Sequence, residues 1–482
     1  MEYTLHNLRQ EKAQHRPFNT QHILSSISFV TGAAADMTFR NYDFNRSTSY
    51  IRKRRLVLRA DSIVILLCFV SATLSGISEV PTVATTALVI IYCLHRLLFD
   101  RTYSPIFVLP IIYYVYASVS GIVFGGHGSI WQNGFATWAA GEGRIFLYFW
   151  PFLYYVARST TGAQSLGPAE WSTTLKAISL IVFCSTTAEF FGIATVYSSH
   201  HIAGTVLGAL LIVNYFTFLN AAKLGNLVFL MANAVLFLGS NSRTSIVAVF
   251  IAILLCHLVK GRWKSSAIYI LLLITAFPLM EATFPAQFSR LSSAMDQGTG
   301  TSIIANFSEA ALAETPRESS SAWEVSNFGR LEGNSNLAIR GFLWGRAVRE
   351  FAGSPIIGAG FGRYNDTGRT FTNVLLGEVA AEATYNNPSV HNAHNSYFYI
   401  LAETGLAGLA IVLIVFGKLL RHWMWQSGES DKYWSSIGLA TVFTLLISGG
   451  TDHSLGAPAF GFTYLAVVGL CYFQTRAKGT SA

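Results

Sequence analysis

Three short segments of this 482-residue chain carry side chains able to hold an anion or move a proton. The first is Ser240-Asn241-Ser242-Arg243-Thr244, beside a long apolar run. The second is Ile339-Arg340-Gly341-Phe342-Leu343-Trp344-Gly345-Arg346-Ala347-Val348-Arg349-Glu350-Phe351. The third is His391-Asn392-Ala393-His394-Asn395-Ser396-Tyr397, with Gly405-Leu406-Ala407-Gly408 following. A guanidinium makes paired hydrogen bonds to phosphate oxygens and keeps its charge. Histidine is the side chain that exchanges protons near neutral pH. Together these residue types suit a site that grips a phosphate-bearing group and deprotonates a hydroxyl.

Position separates the arginines. Helical spacing puts Arg340 on one face with Leu343, Trp344, Ala347 and Phe351, so its charge points into something. Arg346 and Arg349 fall toward the opposite side, where a solvated charge belongs. The following Ser354-Pro355-Ile356-Ile357-Gly358-Ala359-Gly360-Phe361-Gly362 reads as a Gly-rich turn, which allows positive φ and close backbone approach to a ligand. Arg243 begins a membrane helix at its outer end, against the inside-positive bias, so that face needs a cation or the side chain snorkels to headgroups. Gly405 and Gly408 lie one turn apart and permit tight contact with a neighbouring helix.

The elements that must position these residues are membrane helices. The chain is 52% hydrophobic and only 12% charged, against about 25% in soluble proteins. Twelve apolar spans are predicted: 61–78, 82–99, 104–124, 144–157, 174–195, 202–220, 223–239, 244–259, 266–284, 396–417, 434–452 and 456–474. The fold class is thus an all-α polytopic membrane protein. Residues 1–60 read as a polar, mostly disordered cytoplasmic tail ending in Arg52-Lys53-Arg54-Arg55, residues 61–284 as spans one to nine, and residues 396–474 as spans ten to twelve. Residues 475–482 form a second cytoplasmic tail.

With the N-terminus inside, Arg96, Arg101, Arg158, Lys176, Lys223, Lys260, Arg262, Lys264, Lys418, Arg421, Arg476 and Lys478 all land inside too. The net charge of +8 therefore reports topology and not a nucleic-acid stripe. Residues 285–395 are left outside as one large loop, expected to hold short helices over the membrane surface. That loop has eight arginines and no lysine, along with ten acidic residues that are alternative partners for them. Arg363 is a further candidate there. Glu189 and Glu403 are expected at membrane depth, where an ionisable group is a functional hypothesis, and Asp452-His453 at the outer end of span eleven. The five cysteines all fall in spans, which excludes a disulfide framework and a Cys-based metal site.

In order and spacing, Arg243, the Arg340 helix with Trp344 before Pro355 to Gly362, and His394-Asn395 before Gly405 to Gly408 resemble the O-antigen ligase and polymerase family. The resemblance covers about Leu238 to Gly408, and the twelve-span topology with its late outer loop is similar over most of the chain; the long N-terminal tail departs from it. It implies a bacterial inner-membrane enzyme whose periplasmic face transfers a glycan from undecaprenyl diphosphate, with inversion and without metal or cofactor. It further implies that Arg243 and Arg340 grip the diphosphate and that His394 is the base; Arg346, Arg363, Asn395, Glu403, Asp452 and His453 are supporting candidates to which the resemblance assigns no role. The acceptor stays open. A ligase passes the glycan to lipid A core, the slightly favoured reading, and a polymerase passes it to a carrier-linked repeat unit; other polysaccharide-assembly proteins are conceivable partners, nucleic acid is not.

Three rivals compete. A transporter would use Glu189 and Glu403 as a relay, but neither internal repeats nor broken helices in matching halves stand out. A metal-dependent polyprenyl-phosphate glycosyltransferase would carry acidic residues in its first outer loop, where only Glu79 is present. A non-catalytic assembly protein would not need Arg and His motifs of this kind.

Overall fold

The computed structural model describes residues 48–77, 80–99, 104–124, 149–161, 165–197, 200–240, 242–267, 270, 336–361, 364, 394–426, 429–451 and 460–476. Contacts divide the chain into two units, Met1–Leu56 and Val57–Ala482. Of the first, only helical backbone from Thr48 onward is described. The expected tail before Thr48, the N-terminal part of span four, most of span nine and most of the 285–395 loop lie outside the described residues.

No strand occurs among the described residues. The principal helices are α1 (Thr48–Thr73), α2 (Val80–Phe99), α3 (Pro105–Phe124), α4 (Trp150–Ser159), α5 (Pro168–Phe190), α6 (His200–Asn220), α7 (Leu224–Gly239), α8 (Arg243–Val259), α9 (Asn336–Gly353), α10 (Ser396–Met424), α11 (Glu429–Thr451) and α12 (Ala466–Arg476), the last preceded by a π turn, Gly461–Leu465. Helices suit this composition because a lipid environment offers no water to backbone N–H and C=O groups. Hydroxyls inside the helices solve the same problem locally. Thr441 and Thr444 of α11 donate to the carbonyls of Ile437 and Ala440 one turn back, and Thr217 of α6 does so to Val213.

Several expectations change. By length and composition, three described stretches are able to cross a membrane, His201–Asn220, Ser396–Met424 and Lys432–Thr451; five shorter apolar helices accompany them. The twelve spans are therefore not reached among the described residues. Span ten extends to Met424 rather than stopping at 417. Span five ends at Phe190, so Glu189 lies in its last turn, where Oε2 accepts the N–H of Tyr197 at 2.8 Å. That contact makes Glu189 a turn-closing side chain. Cys68, Cys93, Cys256 and Cys471 are buried and Cys184 is exposed; all five are free.

Side-chain contacts set the helix directions. Cys256 Sγ of α8 lies 3.4 Å from the Ser436 carbonyl of α11, and Lys260 Nζ donates to the Trp423 carbonyl near the end of α10 at 2.7 Å. These contacts run α8 antiparallel to α11 and parallel to α10. Arg243 and Gly449 lie equally far along their helices from the Cys256–Ser436 contact, so the starts of α8 and α10 and the end of α11 share one end of the bundle. Close approach of α10 and α11 depends on Gly438, where an added Cβ would lie 2.7 Å from the Trp423 ring.

The opposite end is held by buried side-chain pairs. Arg158 of α4 donates through Nε to Asp61 Oδ1 at 2.9 Å and through Nη2 to Oδ2 at 3.0 Å, while Tyr154 donates to Oδ1 at 2.8 Å. Arg158, read from sequence as a charge at the inner surface, is thus a buried partner of Asp61. Nearby, Tyr433 receives the Trp171 indole N–H at 2.7 Å and shares a hydroxyl bond of 2.8 Å with Thr217, which ties α5 and α6 to α11.

Candidate functional site

Asn395 is the N-cap of α10. Its Oδ1 accepts the N–H groups of Tyr397 at 3.0 Å and Phe398 at 3.1 Å, satisfying donors that the first turn leaves without helical partners. Its amide then donates to the Gly450 carbonyl in the last turn of α11 at 2.8 Å. Tyr397 reaches the same helix, donating to the Leu446 carbonyl at 2.6 Å. These bonds fix the start of α10 against the end of α11. His394, one residue earlier, is half-buried and has φ of +47°, the left-handed region that non-glycine residues enter at a cost.

Arg340 meets the same helix end. Its Nη1 donates to the Thr451 carbonyl at 2.9 Å, one residue from the acceptor of Asn395. A cation is favoured there because the last carbonyls of a helix carry partial negative charge. Along α9, Leu343 and Ala347 are buried, as the shared face with Arg340 requires, and Trp344 packs 5.9 Å from the Phe398 ring of α10. Arg243 begins α8 at this end of the bundle and is exposed. Its turn is pinned by Ser242, which is buried, donates to Ser245 Oγ at 2.8 Å and lies where any side chain at Gly204 would collide with it.

Arg346 is a correction. Expected toward solvent, it is only 2% exposed, with its guanidinium 3.9 Å from the centre of the Tyr364 ring. Tyr364 covers that side of α9, donating to the Leu343 carbonyl at 2.8 Å and packing edge-on to Tyr399. Burial pushes the Tyr364 phenol up to about 12, and the Arg346 cation opposes that shift. Arg349, also expected to be solvated, is half-buried, and burial pulls its guanidinium below the usual value. For Arg346 the cause is a residue beyond the helix. Periodicity within α9 does not report what Tyr364 covers.

The Gly-rich turn and the Gly405 motif prove to be one device. α10 breaks at Gly405, whose φ of 63° and ψ of −164° are not helical. Two ladder bonds, from Leu406 to Ala402 and from Ala407 to Glu403, are replaced by the inserted Pro355–Gly360 segment. Ala359 N–H donates to the Ala402 carbonyl at 2.8 Å and Gly360 N–H to that of Glu403 at 3.1 Å. Leu406 and Ala407 N–H donate to the carbonyls of Pro355 and Ile356 at 2.9 and 3.0 Å. Tyr116 of α3 donates to the carbonyls of Ile357 and Thr404 at 3.0 and 3.1 Å. A Cβ at Gly358 or Gly405 would overlap the opposing backbone. The close approach expected toward a ligand is therefore made to α10. Glu403, at the splice, is 1% exposed.

The structure thus joins Arg340 and Asn395 on one helix end and puts Arg243 at the same end, while Arg346 and Glu403 are buried within the packing of α9 and α10. Arg363, Asp452 and His453 lie outside the described residues. Sequence reasoning missed Tyr116, Tyr364 and Tyr397; it also missed the capping role of Asn395, although Asn directly before a helix is a readable signal. Among the described residues no group of three or more His, Cys, Asp or Glu is gathered to hold a metal.

The described residues form helices and no strand, and the three that are long and apolar enough to cross a bilayer mark a helical membrane protein. Residues 227–413 match the family model described as O-antigen ligase, which is the family that the motifs resemble. The match takes in Arg243, Arg340 and His394 and stops short of Asp452 and His453. It supports an enzyme of glycosyl-transfer type. No curated protein matches the chain.

Proposed function

We propose that this protein transfers a glycan from a polyprenyl diphosphate carrier to an acceptor hydroxyl, at the membrane face where α8 and α10 begin. The observation that carries this reading is the meeting of Arg340 and Asn395, the neighbour of His394, on the last two carbonyls of α11, with Arg243 at the same bundle end. Arg243 and Arg340 hold the diphosphate. A guanidinium has five N–H donors, so the bond from Arg340 to Thr451 is compatible with a second bond to phosphate. His394 takes the proton of the acceptor hydroxyl as its oxygen attacks the anomeric carbon. The bond from that carbon to the diphosphate oxygen breaks, and the electron pair leaves with the diphosphate. Fixed cations aimed at the departing charge supply preorganised electrostatic stabilisation. The sequence offers no Asp-rich motif for a divalent ion, so arginine takes the part a metal plays elsewhere. The face is the periplasmic one, and the donor carrier is undecaprenyl diphosphate.

The test is transfer by purified protein supplied with carrier-linked glycan, lipid A core and carrier-linked acceptor together. The product on lipid A core identifies a ligase, and lengthened carrier-linked glycan a polymerase. His394→Asn removes the base while keeping a residue that tolerates left-handed backbone, and transfer is expected to fall by about 10²-fold or more. Near-normal turnover in that variant removes His394 from the mechanism. Activity that vanishes with EDTA and returns with Mg²⁺ overturns the arginine reading.

A further inference from the structure

At the bundle end opposite Arg340 and His394, a cavity of about 570 Å³ opens between the start of α3 and the ends of α10 and α12. Lys418, Arg421, His422, Trp425, Tyr472 and Arg476 line it. Ser104, Pro105 and Ile106 complete it, so the N-terminus of α3, with its partial positive charge, also faces the cavity. Among the described residues no carboxylate pairs with Lys418, Arg421 or Arg476. His422 is turned to Thr475, 3.0 Å away, and Arg476 lies 5.9 Å from the centre of the Tyr472 ring. Trp425 is 80% exposed, as an indole at a membrane interface is.

A second cavity, of about 340 Å³, is lined by α3 and α10, further along both helices, together with α2, α4 and Leu465 of the π turn before α12. Its walls include Pro110, Phe149, Val412, Val415, Leu419 and Leu465. Pro110 follows Ile106 by one turn of α3, and Val415 precedes Lys418 by one turn of α10, so the apolar slot lies next to the cationic pocket along the same faces of both helices. Three cations with a helix N-terminus match a phosphate group. An apolar slot directly behind them matches hydrocarbon attached to it.

We propose that this pair of cavities binds an anionic phospholipid, its phosphate on Lys418, Arg421 and Arg476 and one acyl chain in the slot beneath Val415. The lipid belongs to the leaflet on the side away from the candidate transfer site. It fills the seam between α3 and α10, the two helices that Tyr116 joins next to the Gly405 splice. The binding does not depend on the proposed transfer reaction.

The experiment uses full-length protein, delipidated in detergent and offered phosphatidylglycerol or phosphatidylcholine, with bound lipid counted by native mass spectrometry. Wild type is expected to retain phosphatidylglycerol over phosphatidylcholine. The variant Lys418→Gln/Arg421→Gln/Arg476→Gln is expected to lose that preference by about tenfold or more, since each cation near an anionic headgroup contributes roughly a factor of five. The charge-keeping variant Lys418→Arg/Arg421→Lys/Arg476→Lys retains it, which separates lost binding from lost folding. Val415→Trp, which fills the slot, weakens binding of the full-length lipid. Equal retention of phosphatidylglycerol by wild type and the neutralised variant overturns the proposal. So does displacement by inorganic phosphate as readily as by phospholipid, because the pocket is then a free-anion site.

Discussion

The two ends of the bundle are held by different means. Where α4 meets α1, Asp61 is enclosed by Arg158 and Tyr154 through side-chain bonds within regular helices. Where α9, α10 and α11 meet, the bonds run from side chains to the last carbonyls of α11, and the nearby backbone is irregular: His394 has positive φ, and α10 is broken at Gly405. Irregular backbone inside a membrane helix persists only where something re-satisfies its hydrogen bonds, here the Pro355–Gly360 turn. Strained or unwound backbone tends to gather where function needs unusual geometry. The anchored end keeps the helices in place, and the irregular end orients the residues proposed for chemistry.

Arg158→Leu breaks this contrast most severely. It leaves Asp61 as a buried carboxylate without its cation, a change that costs about 3 to 5 kcal/mol. Denaturant unfolding in detergent should show that loss, and unchanged stability would mean the pair contributes nothing net. Gly405→Ala comes next. The backbone angles there cost a non-glycine residue about 1 to 3 kcal/mol, and the added Cβ meets the Ile356 carbonyl. Gly417→Ala in the same helix meets open space and should be neutral or mildly stabilising, so equal effects of the two in a thermal scan would contradict the splice.

Arg340→Lys keeps the charge and loses the planar fork, and donor binding or transfer should fall by roughly 10- to 100-fold, the worth of one charge-assisted bond. Wild-type donor affinity and single-turnover rate in this variant would reduce Arg340 to a general positive field. Asn395→Ala has the smallest effect. Loss of the cap costs about 1 kcal/mol, and hydrogen exchange should rise in the first turn of α10 while the Asp61 end is unchanged.

The sequence by itself determined the helical class, most helix positions and the three motifs, because apolar runs, Arg-only composition and the His-Asn before span ten are local patterns. It also determined which arginine shares a face with Leu343 and Ala347. Tertiary structure alone decided that Arg346 lies under Tyr364, that Glu189 closes a turn and that Arg158 is paired with Asp61. It also decided that the glycines of the Ser354–Gly362 turn and of the Gly405 motif serve each other, and that Asn395 and Arg340 meet at Gly450 and Thr451. Each of these depends on a partner far along the chain, and periodicity within one helix carries no information about which distant residue will cover a given face.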